Sequence, residues 1–267
     1  MLYYNKLLYY NIFMTNRIQT YLIILVFSVL SLISSANAEV KVVTSIKPIH
    51  SLVSYIMDGV GKPDVIVDGY NSPHGFSLKP SHAKMLENAD LVIWVGEDLE
   101  AFLEKPLKTI TKKAINIELL DLKRINKLEF REKNIFEEHD EHKEHDDHKE
   151  KDAHEGHNHG EHDPHVWLDP INAKIIVKEI TKELIKLDSK NSSVYKSNSK
   201  KALADIDKLI KSIRKDLNKD LRFVVFHDAY QYYENRFGIQ VLGALTVNTD
   251  VMPGAEQLSE IREVIEH

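Results

Sequence analysis

Three histidines in this 267-residue chain stand where metal chemistry would want them. His74 lies in Asn71-Ser-Pro-His-Gly-Phe-Ser77, His165 in Asp163-Pro-His-Val-Trp-Leu-Asp-Pro170, and His227 closes the run Phe223-Val-Val-Phe-His-Asp228. Each is flanked by Pro, Gly or Asp rather than set on an apolar face. A neutral imidazole binds zinc at about 2.0–2.1 Å, in tetrahedral geometry. A ligating ring usually donates its other N–H to a carboxylate or carbonyl. Asp163, Asp169 and Asp228 are the nearest acids for that role, and Asp169, just before Pro170, also reads as a helix N-cap. The absence of cysteine leaves any zinc site to His and oxygen, and excludes disulfides, CxxC redox chemistry and a thiolate nucleophile.

A second population of histidines is of another kind. His139, His142, His145, His148, His154, His157, His159 and His162 fall within 137–163, where 12 acids face 3 lysines. Such a segment has too little apolar surface to offset its ordering entropy, so 136–163 is expected to be a disordered insertion. Its imidazole content suits weak, multivalent zinc collection that raises the local metal concentration. The bland alternative is a solvated acidic linker. His50 opens a helix expected to pack on a sheet, His82 is expected to follow a helix N-cap at Ser81 and face solvent, and His267 carries no signal.

The elements that must hold the three isolated histidines follow from pattern. Short β-branched runs alternate with helical stripes: strands near 40–46, 64–68, 90–96 and 114–120, with helices near 48–57, 83–88 and 99–110. Continuous apolar strands alternating with helices indicate a parallel sheet covered by helices. Apolar residues at helical spacing then run through 170–187 and 203–217, a helical connector without strands. Strands return at 223–226 and 241–247, with helices at 230–237 and from 255 onward. The fold expected is α/β: two lobes of parallel sheet with flanking helices, joined by a long connecting helix, the second lobe reading as truncated. The strand ends and helix entries that carry His74, His165 and His227 are where open α/β sheets bind ligands.

Residues 1–38 carry Lys6, Arg17 and no acid. Tyr21–Ile33 is 13 residues without charge, followed by Ala36-Asn-Ala38. That is a secretory signal peptide, too short to span a bilayer, with Met14 as a second possible start. The expected organisation is therefore signal peptide 1–38, first lobe 39–135, inserted loop 136–163, helical connector 164–220 and partial second lobe 221–267. The formal charge of −6 is concentrated in the insertion, so no basic field for nucleic acid remains.

Taken together, five motifs resemble the periplasmic zinc-binding proteins of bacterial ABC zinc importers (ZnuA type), within the cluster A-I metal-binding proteins. They are Thr44-Ser-Ile-Lys-Pro-Ile-His50, Pro73-His-Gly-Phe-Ser-Leu-Lys-Pro-Ser81, Ala89-Asp-Leu-Val-Ile-Trp-Val-Gly96, His165-Val-Trp-Leu-Asp-Pro170 and Val225-Phe-His-Asp-Ala-Tyr-Gln-Tyr-Tyr233. The resemblance implies two α/β lobes with zinc in the cleft, His74, His165 and His227 as ligands, and a His-rich loop ahead of the second. It implies a monomeric carrier that captures Zn(II) as cargo in the periplasm and hands it to a membrane ABC permease with its ATPase. Manganese-binding relatives have Glu at the third position, and an imidazole there moves the preference toward zinc. Two departures leave the fourth ligand open among water, Asp228 and a missing carboxylate. Pro73 stands where some relatives have Glu, and the chain given does not reach an Asp that others supply. Two other readings compete: a periplasmic zinc buffer acting through the loop, and a zinc hydrolase. The hydrolase lacks an HExxH helix, a GxSxG elbow and a general-base Glu beside these histidines, so an enzyme is not expected.

Overall fold

A run such as Leu91-Val-Ile-Trp94, apolar at every position, is stable only as a strand covered on both faces. The computed structural model describes residues 39–131, 134–136, 162–246 and 253–266, together with Met14. It places that run as β3 (Leu91–Trp94), fully buried. Beside it lie β1 (Val42–Ile46), β2 (Asp64–Val67) and β4 (Ile115–Glu118), in the order β2-β1-β3-β4 and all parallel. The linking helices are α1 (Lys47–Met57), α2 (Pro80–Glu87) and α3 (Glu97–Thr109). A right-handed strand–helix–strand path is the usual way to make such parallel pairs.

The connector is a hairpin of two helices, α4 (Pro170–Leu187) and α5 (Ser192–Asp216). Its antiparallel sense shows in the Lys174–Asp207 ion pair and in the Tyr195 hydroxyl, which donates to Asp188 at the turn. Ile176, Ile180 and Leu184 on α4, and Tyr195 and Ala202 on α5, belong to the same buried cluster as Val43, Ile93 and Val53. The connector is thus part of the first lobe's core. A second parallel pair follows: β5 (Arg222–His227) and β6 (Gln240–Thr246), linked by α6 (Gln231–Phe237), with α7 (Ala255–Glu266) after it.

An arm, described at 128–131 and 134–136, touches both lobes. Leu128 accepts from Asp163 N–H, Asn134 accepts from Ala244 N–H, and Phe136 N–H donates to Leu242. A Cβ added at Gly243 would meet the Asn134 carbonyl oxygen at 2.5 Å, so only glycine allows the arm to lie this close to β6. Phe136, His162 and Asp163, read from sequence as the edges of the insertion, are held by the body: His162 pairs with Glu129 in an isolated antiparallel bridge. The segment 1–38 read as a signal peptide, apart from Met14, and the other seven histidines of the insertion lie outside the described residues. Among those described, no helix is long and apolar enough to cross a membrane.

One local expectation is corrected. Ser81 does not cap α2. Pro80, whose fixed φ suits the first helical position, starts the helix two residues earlier than a cap at Ser81 would, with Lys79 as the N-cap. His82 then accepts the Lys79 N–H on Nδ1 at 3.1 Å, and its ring lies against Phe76. It is part of the helix start rather than a free surface residue.

Candidate metal centre

His74 follows β2 in a loop shaped by two left-handed glycines. Gly69 (φ 72°) turns the chain out of the strand, with its N–H donating to Asp68. Gly75 (φ 67°) turns it back, so that Phe76 packs on Phe102 of α3. His74 sits at the apex between them, its N–H donating to Ser72 Oγ. A residue with a Cβ would be strained at either glycine.

His165 is held far more tightly. Asp163 is buried, and its Oδ1 accepts from both the His165 backbone N–H at 2.9 Å and Nδ1 at 2.7 Å. The Asp163 carbonyl accepts from the Tyr232 hydroxyl, which in turn accepts from Leu128 N–H. A short 3₁₀ turn, Val166–Leu168, follows, and Asp169 then caps α4 by accepting from Ile171 N–H. With Nδ1–H committed to Asp163, the Nε2 lone pair of His165 is left for a metal.

His227 is the last residue of β5, paired in register with Thr246. Its Nε2 lies 3.3 Å from Nε2 of His165. Two nitrogens at about 2.0–2.1 Å from one tetrahedral zinc are themselves about 3.3 Å apart. The ring centroids of His74 lie 6.0 Å from His165 and 5.3 Å from His227. One nitrogen from each of the three rings falls within 4.8 Å of the others, the one such cluster among the described residues. The histidines singled out from sequence, about 150 residues apart at the extremes, meet at one point.

Other sequence candidates take different roles. Asp169 is a helix cap and an ion-pair partner of Arg236. Asp228, weighed as a fourth ligand, instead meets Arg131 at 3.2 Å. Burial pushes its carboxyl up to about 6 even so. His50 bonds the Pro63 carbonyl and Ser54 on its own helix, away from the cluster. Arg131, Tyr232 and Glu234 were not identifiable as support residues, because nothing local marks a group whose partner is 97–104 residues away.

Electrostatics favour the ligating form. Burial, then the neighbouring His165 and His74, hold the His227 imidazole down at about 4, with Asp163 pulling the other way. The ring is therefore neutral and ready to ligate throughout the neutral range. Unfolded His takes up its proton near 6.5, the folded ring only near 4, so zinc-free protein loses stability as pH falls from about 6.5 toward 4. Denaturant titrations of the zinc-free protein at pH 7, 6 and 5 will show the decline, and His227→Gln will flatten it. An unchanged slope in that variant would locate the effect elsewhere.

Asp163 carries a second expectation. Asp163→Ala removes both bonds that fix His165, and orienting partners of this type are worth about 10–100-fold in metal affinity. Competition against a chromophoric chelator will read that loss with the circular dichroism spectrum retained.

Comparison with known proteins gives a consistent result. The family model for zinc-uptake complex component A, periplasmic (ZnuA), matches residues 42–267. The high-affinity zinc uptake system protein ZnuA of Brucella abortus (strain 2308) is 43% identical over 250 residues, covering 87% of this chain and 75% of its own. Its counterpart in Yersinia pestis is 37% identical over 235 residues, covering 86% and 73%. Among solved structures, a crystal structure of ZnuA superposes with a TM-score of 0.67 at 22% identity, covering 85% of this chain and 78% of the other. Zn(II)-bound AdcA from Streptococcus pneumoniae gives 0.64 at 20% identity, covering 86% and 44%.

Proposed function

This chain belongs to the ZnuA family of periplasmic zinc-uptake components, and from that premise we propose that His74, His165 and His227 are the ligands with which it captures Zn(II). The family is a component of an uptake complex rather than an enzyme, and zinc is cargo. The observation that carries the site is the convergence of three ring nitrogens from three separate elements within 4.8 Å. The 3.3 Å separation of two of them is the spacing of adjacent ligands on a tetrahedral ion.

The protein is exported by its leader to the periplasm, acts as a monomer, and binds zinc between its α/β lobes. It then releases the ion to a membrane permease driven by an ATPase. The His-rich insertion collects zinc weakly ahead of the tight site. Three imidazoles favour a borderline-soft ion over harder manganese.

Calorimetric titration of protein lacking residues 137–161 tests this. One tight zinc site per chain is expected. Loss of all tight binding would favour the alternative, a periplasmic buffer that works through the loop alone.

A further inference from the structure

A cleft of about 640 Å³ runs along the outer edge of the four-stranded sheet, and none of the three clustered histidines lines it. All four residues of β4 line it, with Leu107 and Glu104 of α3 on one element and Glu179 and Glu183 of α4 on another. Among the described residues, β4 pairs only with β3. Ile115 N–H donates to Asp90 and Leu119 N–H to Trp94. In a parallel ladder the alternate residues turn outward, which leaves the N–H and C=O of Asn116 and the N–H of Glu118 on the outer edge, while the Glu118 carbonyl accepts from Asp121 N–H at 3.3 Å. Ile115 is also an exposed large apolar residue.

The charge of the cleft is one-sided. Six carboxylates line it against the single ammonium of Lys108. Glu104, Glu179 and Glu183 each have a lysine partner, in Lys108, Lys182 and Lys186. Glu97, Glu118 and Asp121 form no ion pair among the described residues. Burial, followed by repulsion from Asp121, Glu97 and Asp98, pushes the Glu118 carboxyl up to about 7, with Lys127 pulling only partly the other way. The cluster is short of positive charge.

We infer that this open edge is a docking site for an extended, cationic segment of a partner protein, which adds to the sheet alongside β4 and sets Lys or Arg against Glu97, Glu118 and Asp121. Acids beside an open edge normally block strand addition, because a neutral strand would bury them without partners. A strand that brings its own cations removes that cost, so the same charges that exclude other strands select this one. The backbone supplies the ladder and the carboxylates supply the choice of partner.

The test uses the zinc-loaded full chain and a fluorescein-labelled Val-Lys-Val-Lys-Val-Lys peptide, read by anisotropy. Saturable binding is expected, weakening with salt. It should fall at least tenfold for the Val-Glu counterpart, for a Val-Lys peptide N-methylated at alternate residues, and for the Glu118→Gln, Asp121→Asn double variant. That variant should keep its zinc affinity and its circular dichroism spectrum, which separates loss of docking from loss of fold. No binding of the Val-Lys peptide would overturn the inference. So would equal binding of the N-methylated peptide, displacement by spermidine at equal charge concentration, or full binding by the double variant, each of which would reduce the cleft to a patch of charge.

Discussion

Alanine at His165 will lower zinc affinity by a factor on the order of 10²–10³, the largest loss among the three proposed ligands. Four-ligand zinc sites bind with about 10–16 kcal/mol, so one ligand accounts for roughly 3–4 kcal/mol of it. His165 is placed at the top of the order because its position is the least adjustable. Its ring is buried and held by Asp163, whose own backbone is tied through Tyr232 to Leu128. His227→Ala should follow closely, since the residue ends a strand whose register is set by five paired positions. His74→Ala should cost least. It sits half-buried at the apex of a loop, where backbone movement lets water or a carboxylate take its place. The measurement is chelator competition on protein lacking residues 137–161, so that the insertion's histidines do not mask the loss. Equal, small effects at all three positions would mean that zinc is held somewhere else.

Much of this arrangement was legible in the sequence, and the reasons are physical. Strand and helix positions came from apolar runs such as 91–94, where period and burial coincide. The three proposed ligand positions stood out because each histidine sits among turn and cap residues at an element's end. An imidazole in that setting has no packing reason to be there. Asp163 was legible as a partner because it is two residues from His165 and needs only a turn to reach it.

What was not legible depends on distance along the chain. The cap of α2 was misplaced at Ser81 because a serine is the commoner capping residue. Pro80 and the ring of His82 decide the start instead, which is a matter of φ and of a side chain three residues on. The connector's packing was hidden for a different reason. Periodicity reveals that α4 and α5 are amphipathic but not what covers their apolar faces, and those faces complete the first lobe's core. Asp228 was weighed as a ligand on proximity to His227, whereas its partner is Arg131, far back in the sequence.

That arginine carries the second large expectation. Arg131→Ala will destabilise the protein by about 3–5 kcal/mol, as removal of one member of a buried charge cluster does. Arg131 donates to Asp228 at 3.2 Å and to both oxygens of Glu234 at 3.1 and 3.0 Å. The two acids are 7% and 8% exposed at their side chains, so without the guanidinium they cannot be solvated where they lie. The guanidinium also sits 4.0 Å from the centre of the Phe136 ring, a cation–π contact that is lost with it. The arm that carries Arg131 reaches β6 through Asn134 and Phe136. Loosening it therefore frees the strand pair that positions His227. Thermal melts of the zinc-free variant will show the loss, and saturating zinc will recover part of it, since the ion binds only the folded site. The cause can be separated from simple truncation. If uncompensated charge is responsible, Arg131→Met combined with Asp228→Asn and Glu234→Gln will regain most of the stability. A single Arg131→Met variant that is already as stable as the parent would show that the ion pairs contribute nothing, and that the arm is held by its backbone bonds alone.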